Sequence, residues 1–322
     1  MSKLLRATLA AAALLTAAMS AEAQNYPSSS VKLIVPVPAG GVTDTMARIV
    51  AQRLMEMWGQ SVIVENRPGG NYGVGALAVS RSPADGLTLL VSPDSTFTAN
   101  PALIDKLNYD PKEFTPIAVL CRASPVLVVN KSVPANDVKG LIDLAKTQPG
   151  KLNYGSYGVG TYAHLSMEDF KQRTGTDILH IPYRGAAPAM NGLLAGDVSM
   201  LLLNLSSVES HEKANTVKIL AAATEKRLAA RPDLPTISES GVPGFQTSAW
   251  FALWGPSNLP ADIVKKIHAD VSKALDLPQT RDFFKANSFE RVDISPAQFS
   301  ALIDTDLQHW TRLIKAVGAK IE

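Results

Sequence analysis

The stretch V-K-L-I-V-P-V-P-A-G-G-V-T-D, residues 31–44, decides how this chain begins its fold. A short, mostly apolar strand leads through Gly40 and Gly41 into a helix that Thr43 or Asp44 can cap. Glycines let the backbone approach a ligand because no Cβ is in the way. The first N–H groups of a helix lack partners within the helix and lie at the positive end of its dipole, so this turn suits an anion.

A second turn of the same kind is Y-G-S-Y-G-V-G-T, residues 154–161. It offers the hydroxyls of Ser156 and Thr161 together with the N–H groups of residues 158–161. His164 lies one turn into the helix that follows, where a histidine is more often a structural hydrogen-bonding group than a ligand contact. Two such turns in the two halves of one chain predict a clamp around one small anion.

The first 23 residues resemble a signal peptide. Lys3 and Arg6 precede a small and apolar run over residues 4–19, and A-E-A (21–23) fits the small-x-small cleavage rule. A transmembrane anchor is the weaker alternative because the run is short and ends in that pattern. We therefore expect export to the periplasm, with cleavage after Ala23.

The mature chain is predicted to be a soluble, nearly neutral monomer of 299 residues. Removing Lys3, Arg6 and Glu22 changes 31 basic and 29 acidic side chains to 29 and 28. This balance argues against nucleic-acid binding and against a polybasic membrane surface. Cys121 is the single cysteine, so it forms no internal disulfide and is predicted to be a small buried hydrophobe.

Short strands alternate with amphipathic helices along most of the chain, which predicts an α/β fold with doubly wound sheets. In the first helix, over residues 43–58, Met46, Val50, Leu54 and Met57 share one face. The predicted strands are 31–35, 62–65, 87–91, 126–130, 151–154, 178–181, 198–203, 217–223 and 248–254. The other predicted helices are 72–82, 137–147, 161–174, 187–195, 260–275, 278–286 and 296–317.

The last three helices have no strands of their own, so we expect them to pack on the first sheet. The chain then crosses twice between two lobes, one made of residues 24–122 and 248–322 and the other of residues 123–247. The proline-rich stretch 231–245 is interpreted as a surface connection. Two such lobes favour a ligand in the cleft at the carboxyl ends of the strands, where both glycine turns lie.

Three alternative functions, namely nucleotide binding, a metal site and a serine hydrolase, have less support in the sequence than anion binding. Neither turn matches a nucleotide-binding glycine motif, and the five histidines lack the spacing of a metal site, so no metal or cofactor is predicted. A serine hydrolase with Ser156 as nucleophile is the more serious alternative, although G-x-S-x-G would need glycine at Tyr154. His180 and His211 are its possible bases, and nothing near either one selects it.

Taken together, these motifs resemble the Bug family, the TctC-like extracytoplasmic receptors of tripartite tricarboxylate transporters. The resemblance covers essentially the whole mature chain. The motifs that carry it are P-A-G-G-V-T-D-T-M-A-R (38–48), E-N-R-P-G-G (65–70), P-A-D-G-L-T-L-L (83–90), Y-G-S-Y-G-V-G-T-Y-A-H-L (154–165), I-P-Y-R-G (181–185) and R-P-D-L-P-T-I-S-E-S-G-V-P-G-F (231–245).

The resemblance implies a two-lobed, type II-like periplasmic binding protein of the Venus-flytrap kind, without catalysis. It implies a small carboxylate ligand and a membrane permease of the TctA and TctB type. A receptor subunit that senses the ligand for a signalling protein stays open as an alternative. The implied ligand residues are Ala39, Gly40, Gly41, Val42, Thr43, Ser95, Ser156, Gly158, Val159, Gly160, Thr161 and Tyr183, with Val37, Asp44, His164, Ser199 and Asn204 as further candidates.

One departure from the family pattern bears on the ligand. Many relatives have acidic residues at the positions aligned with Ser199 and Leu203, where this chain is neutral, and Asn204 is the nearest polar replacement. If those acids meet an amino group, this chain is expected to prefer a ligand without ammonium.

Overall fold

The computed structural model describes residues 26–247 and 249–319. The predicted signal peptide lies outside these residues. Ten strands and ten α-helices are described, and all three short 3₁₀ turns follow or precede strands. The strands are β1 (Val31–Val35), β2 (Val62–Asn66), β3 (Thr88–Pro93), β4 (Phe114–Arg122), β5 (Pro125–Asn130), β6 (Asn153–Ser156), β7 (Leu179–Pro182), β8 (Met200–Asn204), β9 (Val217–Ala222) and β10 (Trp250–Pro256).

The helices also follow the predicted order. They are α1 (Val42–Trp58), α2 (Gly73–Ser80), α3 (Asn100–Leu103), α4 (Val138–Thr147), α5 (Tyr162–Thr174), α6 (Ala186–Ala195), α7 (Glu209–Lys213), α8 (Ala261–Asp276), α9 (Pro278–Ala286) and α10 (Pro296–Val317). The short helices α3 and α7 fall where the sequence predicted no helix. None of the described helices has the length and apolar character that a membrane crossing needs.

The strands form two five-stranded sheets, and the fold is a two-lobed α/β architecture as predicted. The first sheet has the order β2-β1-β3-β10-β4, and the second has the order β7-β6-β8-β5-β9. Within them, β2, β1 and β3 are parallel, as are β7, β6 and β8. Strands β10 and β5 run antiparallel to both of their neighbours, because each enters its sheet directly from the other lobe. The sheets are therefore mixed rather than wholly parallel.

Helix α1 shows why the first βα unit folds as it does. Met46, Val50 and Leu54 recur every four residues and are fully buried against the first sheet. Gly59 ends the helix in a left-handed conformation with φ 64°. Met57 was predicted on the same face and shares its direction, but it is 40% exposed because it lies at the end of the helix, beyond Leu54, the last buried residue of the helix.

The three C-terminal helices pack on the first sheet, as expected. Ile263 and Ile267 of α8 belong to the same apolar cluster as Leu33 of β1, and Phe299 of α10 packs with Trp250 and Trp254 of β10. The connection 231–245 has no helix or strand, yet Phe245 is 1% exposed and packs edge-on against Phe170 of α5. This stretch therefore closes part of the core of the second lobe, and the surface interpretation of it was incomplete.

The two lobes meet at paired crossovers and at a helix contact. Ala123 donates its N–H to the carbonyl of Ala249 at 2.8 Å, which joins the two crossing segments side by side. At the helix contact, Leu165 of α5 is fully buried in a cluster with Trp310, Leu313 and Ile314 of α10. Ala99 and Leu103 belong to the same cluster. This cluster ties a helix of the second lobe to one of the first.

Candidate ligand site between the lobes

The first glycine turn is held in shape by Asp44. The Gly40 N–H donates to Asp44 Oδ2 at 3.0 Å, and Arg48 and Asn66 donate to the same carboxylate at 2.9–3.0 Å. Gly40 has φ +94°, which only glycine adopts without strain. Burial would raise the pKa of Asp44, but these hydrogen bonds outweigh burial and hold that pKa below its ordinary value. The Asp44 carboxylate is thus fully used within the protein.

The donors that remain free in this turn follow Gly40. None of the hydrogen bonds within the described residues uses the N–H groups of Gly41, Val42 or Thr43 as donors. These groups lie at the N-terminus of α1, where the helix dipole favours negative charge. Ala39 is exposed beside them, and Val37 and Val42 pack against the core of the first lobe.

The second glycine turn is held in shape by three side chains. Ser156 Oγ accepts a hydrogen bond from the Gly158 N–H at 3.2 Å, and His164 Nδ1 accepts one from the Gly160 N–H at 3.2 Å. The Thr161 hydroxyl donates to the Gly158 carbonyl at 2.8 Å. Several of the groups that the sequence assigned to a ligand therefore bond within the turn.

Free donors remain here too. The N–H groups of Val159, Tyr162 and Ala163 donate in none of the hydrogen bonds within residues 26–247 and 249–319. Tyr162 and Ala163 begin α5, so their N–H groups are at the positive end of its dipole. The second turn thus resembles the first in presenting helix N-terminal donors next to a glycine bend.

The structure brings the two turns towards each other. Asn71, which follows the glycines of the first lobe at 69–70, donates to the Val159 carbonyl at 3.4 Å. Tyr162 packs against the first-lobe cluster that includes Val37 and Val42, and also against clusters of the second lobe. Tyr162 therefore contacts the cores of both lobes.

Three tyrosines at this junction were missed by the sequence reasoning. Tyr157 and Tyr162 place their hydroxyl oxygens 2.9 Å apart, and Tyr157 also donates to the Leu202 carbonyl. Burial raises the pKa of Tyr72 to about 12, and its phenol neighbours Ser95. Tyr157 and Tyr162 were within reach of the motif analysis, which weighed hydroxyl and N–H donors of the turn and ignored its aromatic residues.

Ser95, a predicted ligand residue, lies at the carboxyl end of β3 beside a buried acid. The Ser95 N–H donates to Asp94 Oδ1 at 2.7 Å, while Asp94 Oδ2 has no partner among the described residues. Asp94 is 1% exposed, and burial raises the pKa of its carboxyl well above the ordinary value, with the neighbouring Asp306 adding to the effect. The floor of the first lobe therefore carries a carboxyl group that favours its protonated form.

The structure selects His180 as the neighbour of Ser156, at 2.7 Å between Nε2 and Oγ. This is one contact that a hydrolase would need, but an orienting acid is not supplied. Glu168 instead accepts hydrogen bonds from Tyr154 at 2.6 Å and Lys171 at 2.7 Å. Burial lowers the pKa of His180 to about 4, so its ring is neutral near pH 7. The pair reads as a support for the turn.

The Tyr183 ring lies between α6 and β6, because a Cβ on Gly155 would come within 3.3 Å of its Cε2. A Cβ on Gly192 of α6 would overlap the Tyr183 hydroxyl and lie 2.6 Å from its Cζ, so the ring covers α6.

The second-lobe candidates Ser199 and Asn204 are also occupied elsewhere. Ser199 bonds with Asn153 at the amino end of β6, about 10 Å along the strand from Ser156. Asn204 accepts from the Ser124 N–H and donates to Ser206 and to the Asn287 carbonyl, which makes it part of the crossover. Leu203 is buried in the core. The structure therefore gives no support to the expectation that neutral residues at these positions exclude a ligand with an ammonium group.

Comparison with known proteins settles the family. The sequence profile of TctC, described as the tripartite tricarboxylate transporter family receptor, matches residues 46–319. This chain belongs to the TctC family. It is 33% identical over 302 residues to the protein BugT of Bordetella pertussis, covering 93% of each chain. Family members are periplasmic solute-binding receptors and not enzymes, so the hydrolase alternative is wrong.

Solved structures agree with this assignment. Rpa4515 of R. palustris, determined with adipate, superimposes with a TM-score of 0.87 at 34% identity over 92% of this chain and 100% of that one. MatC of Rhodopseudomonas palustris, determined with malate, gives a TM-score of 0.82 at 29% identity over 90% and 100%. Both are bound to small dicarboxylates.

Proposed function

We propose that this TctC-family receptor captures a small carboxylate between its two glycine turns in the periplasm and delivers it to a TctA/TctB-type permease. The observation that carries the proposal is the pair of turns, each with unused N–H donors at a helix N-terminus. Across the two turns and the helix N-termini that follow them, six N–H donors are unused within the described residues, next to the positive ends of two helix dipoles. They suit an anion whose charge is spread over carboxylate oxygens.

The relatives narrow the class of anion. Adipate and malate in Rpa4515 and MatC are both dicarboxylates, which favours a ligand of that class for this chain as well. The ligand is held by backbone donors and by water, with Val159, Thr161, Ser95 and the residues 39–43 as its neighbours. Hydrogen bonds from backbone groups accept many chain lengths, so the tyrosines at the junction are the natural source of selectivity.

Ligand capture works through closure of the lobes about the crossovers. The first lobe comprises residues 24–122 and 248–322, and the second comprises residues 123–247. The apolar cluster around Leu165 and Trp310 joins the lobes when they are closed and is parted when they open. A ligand that contacts both turns then shifts the population to the closed form, which is the shape that a permease recognises. The same closed form serves a sensing role, and only the partner differs.

A thermal-shift panel tests the proposal. Adipate, malate and citrate are compared with glucose and with the diamide of adipic acid, each at increasing concentration. A carboxylate at 100 times its dissociation constant stabilises the folded state by about 2.7 kcal/mol. Stabilisation by glucose or by the diamide, with no response to any carboxylate, contradicts the proposal. Uptake of the bound carboxylate in cells with and without the permease genes separates transport from sensing.

A further inference from the structure

The two glycine turns are braced in the same way by residues that differ in chemistry. In the first, the N–H of Gly40 donates to Asp44 Oδ2 at 3.0 Å, and in the second the N–H of Gly160 donates to His164 Nδ1 at 3.2 Å. In both cases the acceptor lies four residues after the glycine, at the third position of a helix. The glycines have matching φ angles of +94° and +84°.

The braces decide which N–H groups are left for a ligand. Each uses the N–H of the positive-φ glycine and fixes the bend, and the N–H groups of the first two helical residues after it have no partner among the described residues. In the first turn these include the N–H groups of Val42 and Thr43, and in the second those of Tyr162 and Ala163. Without its acceptor, a bent glycine N–H either stays unpaired or turns towards the ligand, and the neighbouring donors lose their alignment.

The histidine brace demands one protonation state. A nitrogen that accepts a hydrogen bond carries no proton, so His164 Nδ1 is bare and the proton of the neutral ring is on Nε2. The ring centroid of His180 lies 4.2 Å from that of His164, and His180 Nε2 is 2.7 Å from the Ser156 hydroxyl that supports Gly158. Burial lowers the pKa of His164, while Glu168 opposes that shift and Lys171 adds to it.

The groups that face the two histidines are otherwise occupied. Tyr154 stacks on His180 at 4.8 Å and donates to Glu168, and Lys171 donates to Glu168 as well. The Glu168 carboxylate is therefore already paired, and burial lowers the pKa of both histidines in spite of its charge, so the rings are neutral. The stacked rings form a neutral buttress behind the second turn, whereas an ion pair of Asp44 with Arg48 forms the buttress behind the first.

We propose that Asp44 and His164 are equivalent positioning residues of the ligand site, and that His164 acts only as a neutral ring with its proton on Nε2. This inference rests on the proposed function for its ligand, but the state of the ring is testable without one. An asparagine side chain also offers an acceptor oxygen at the third helical position, as Asp44 does. We therefore expect asparagine to replace His164 in part, and leucine to fail.

Titration of adipate into His164→Leu and His164→Asn by calorimetry tests the positioning role. The leucine variant is expected to bind adipate about tenfold more weakly than the parent, and the asparagine variant within about threefold of it. His211→Leu and His211→Asn, on α7 of the same lobe and away from both turns, are the matched controls and should bind as the parent does. Parent-like affinity of His164→Leu, or equal loss in both His164 variants, overturns the positioning role.

A measurement on the unmodified protein covers the case in which the variants fold poorly or no carboxylate binds. Nitrogen-15 spectra of the histidine rings at pH 7.5 should show His164 with an unprotonated Nδ1 and a protonated Nε2. A protonated Nδ1 overturns the inference whatever the ligand. Failure of adipate, malate and citrate to bind the parent counts against the proposed function alone, because the ring spectrum still tests the brace.

Discussion

Leu165 offers a direct way to weaken lobe closure without touching the turns. Its side chain is fully buried among Trp310, Leu313 and Ile314 of the first lobe, although Leu165 itself belongs to α5 of the second. If the cluster parts when the lobes open, as proposed above, this side chain becomes exposed to water. Leu165→Ala removes three carbon atoms from the contact, which weakens closure by about 2 kcal/mol at roughly 0.8 kcal/mol for each buried carbon.

This energy converts into a measurable change of affinity. If the ligand binds the closed form, a loss of about 2 kcal/mol raises the dissociation constant for adipate by about 30-fold. Leu141→Ala is the matched control because Leu141 is also fully buried but lies wholly inside the second lobe. The control is expected to lower the free energy of unfolding by about 2–5 kcal/mol and to leave the affinity unchanged.

Calorimetric titration with adipate and urea unfolding of both variants provide the comparison. We expect a large loss of affinity for adipate in Leu165→Ala and none in Leu141→Ala. An unchanged dissociation constant in Leu165→Ala refutes the link between this cluster and ligand capture.

Three further changes have defined outcomes. Asp94→Asn should raise the melting temperature more at pH 7.5 than at pH 4. Burial raises the pKa of Asp94 in the folded protein, so the parent loses stability as the pH rises above the ordinary pKa of aspartate, and asparagine avoids that loss. A gain independent of pH contradicts this. The pKa of His180 is lowered to about 4, so its stabilising effect is complete above about pH 6.5 and disappears between there and pH 4. After allowance for partial exposure this amounts to about 2 kcal/mol, and His180→Asn should flatten that part of a stability–pH curve from urea unfolding. Gly192→Ala should displace the Tyr183 ring yet leave adipate affinity unchanged; weaker binding would return Tyr183 to the ligand site.

Much of the fold could be predicted because it is set by local patterns. The strand over Val31–Val35 and the helix over Pro278–Ala286 fall at the predicted bounds, and the lack of strands after Pro256 correctly placed the last helices on the first sheet. Periodicity failed at Met57, where the buried stripe narrows near the end of the helix. Burial of the proline-rich stretch 231–245 depends on Phe170, which is remote in sequence.

The site was only partly predictable for the same reason. The glycine turns were visible as local motifs, but their braces were not all evident. Thr43 or Asp44 was predicted to cap α1, but Gly41 is the N-cap, and Asp44 at the third helical position accepts the N–H of Gly40 instead. The contact of His180 with Ser156 requires β6 and β7 to pair first. Ser199 was a candidate because relatives have an acidic residue at the aligned position, and only the direction of β8 places it at the far end of the sheet. The places of His180 and Ser199 depend on which strands pair and in which direction, and local sequence patterns do not contain that information.

A titration with two matched compounds shows whether the free N–H donors of both turns hold a carboxylate anion. Adipate and the diamide of adipic acid have the same length and differ in charge at each end. We expect saturable calorimetric binding of adipate at pH 7.5 and no measurable binding of the diamide under the same conditions. Equal binding of the two compounds would contradict it, because the donors would then be recognising shape and not charge.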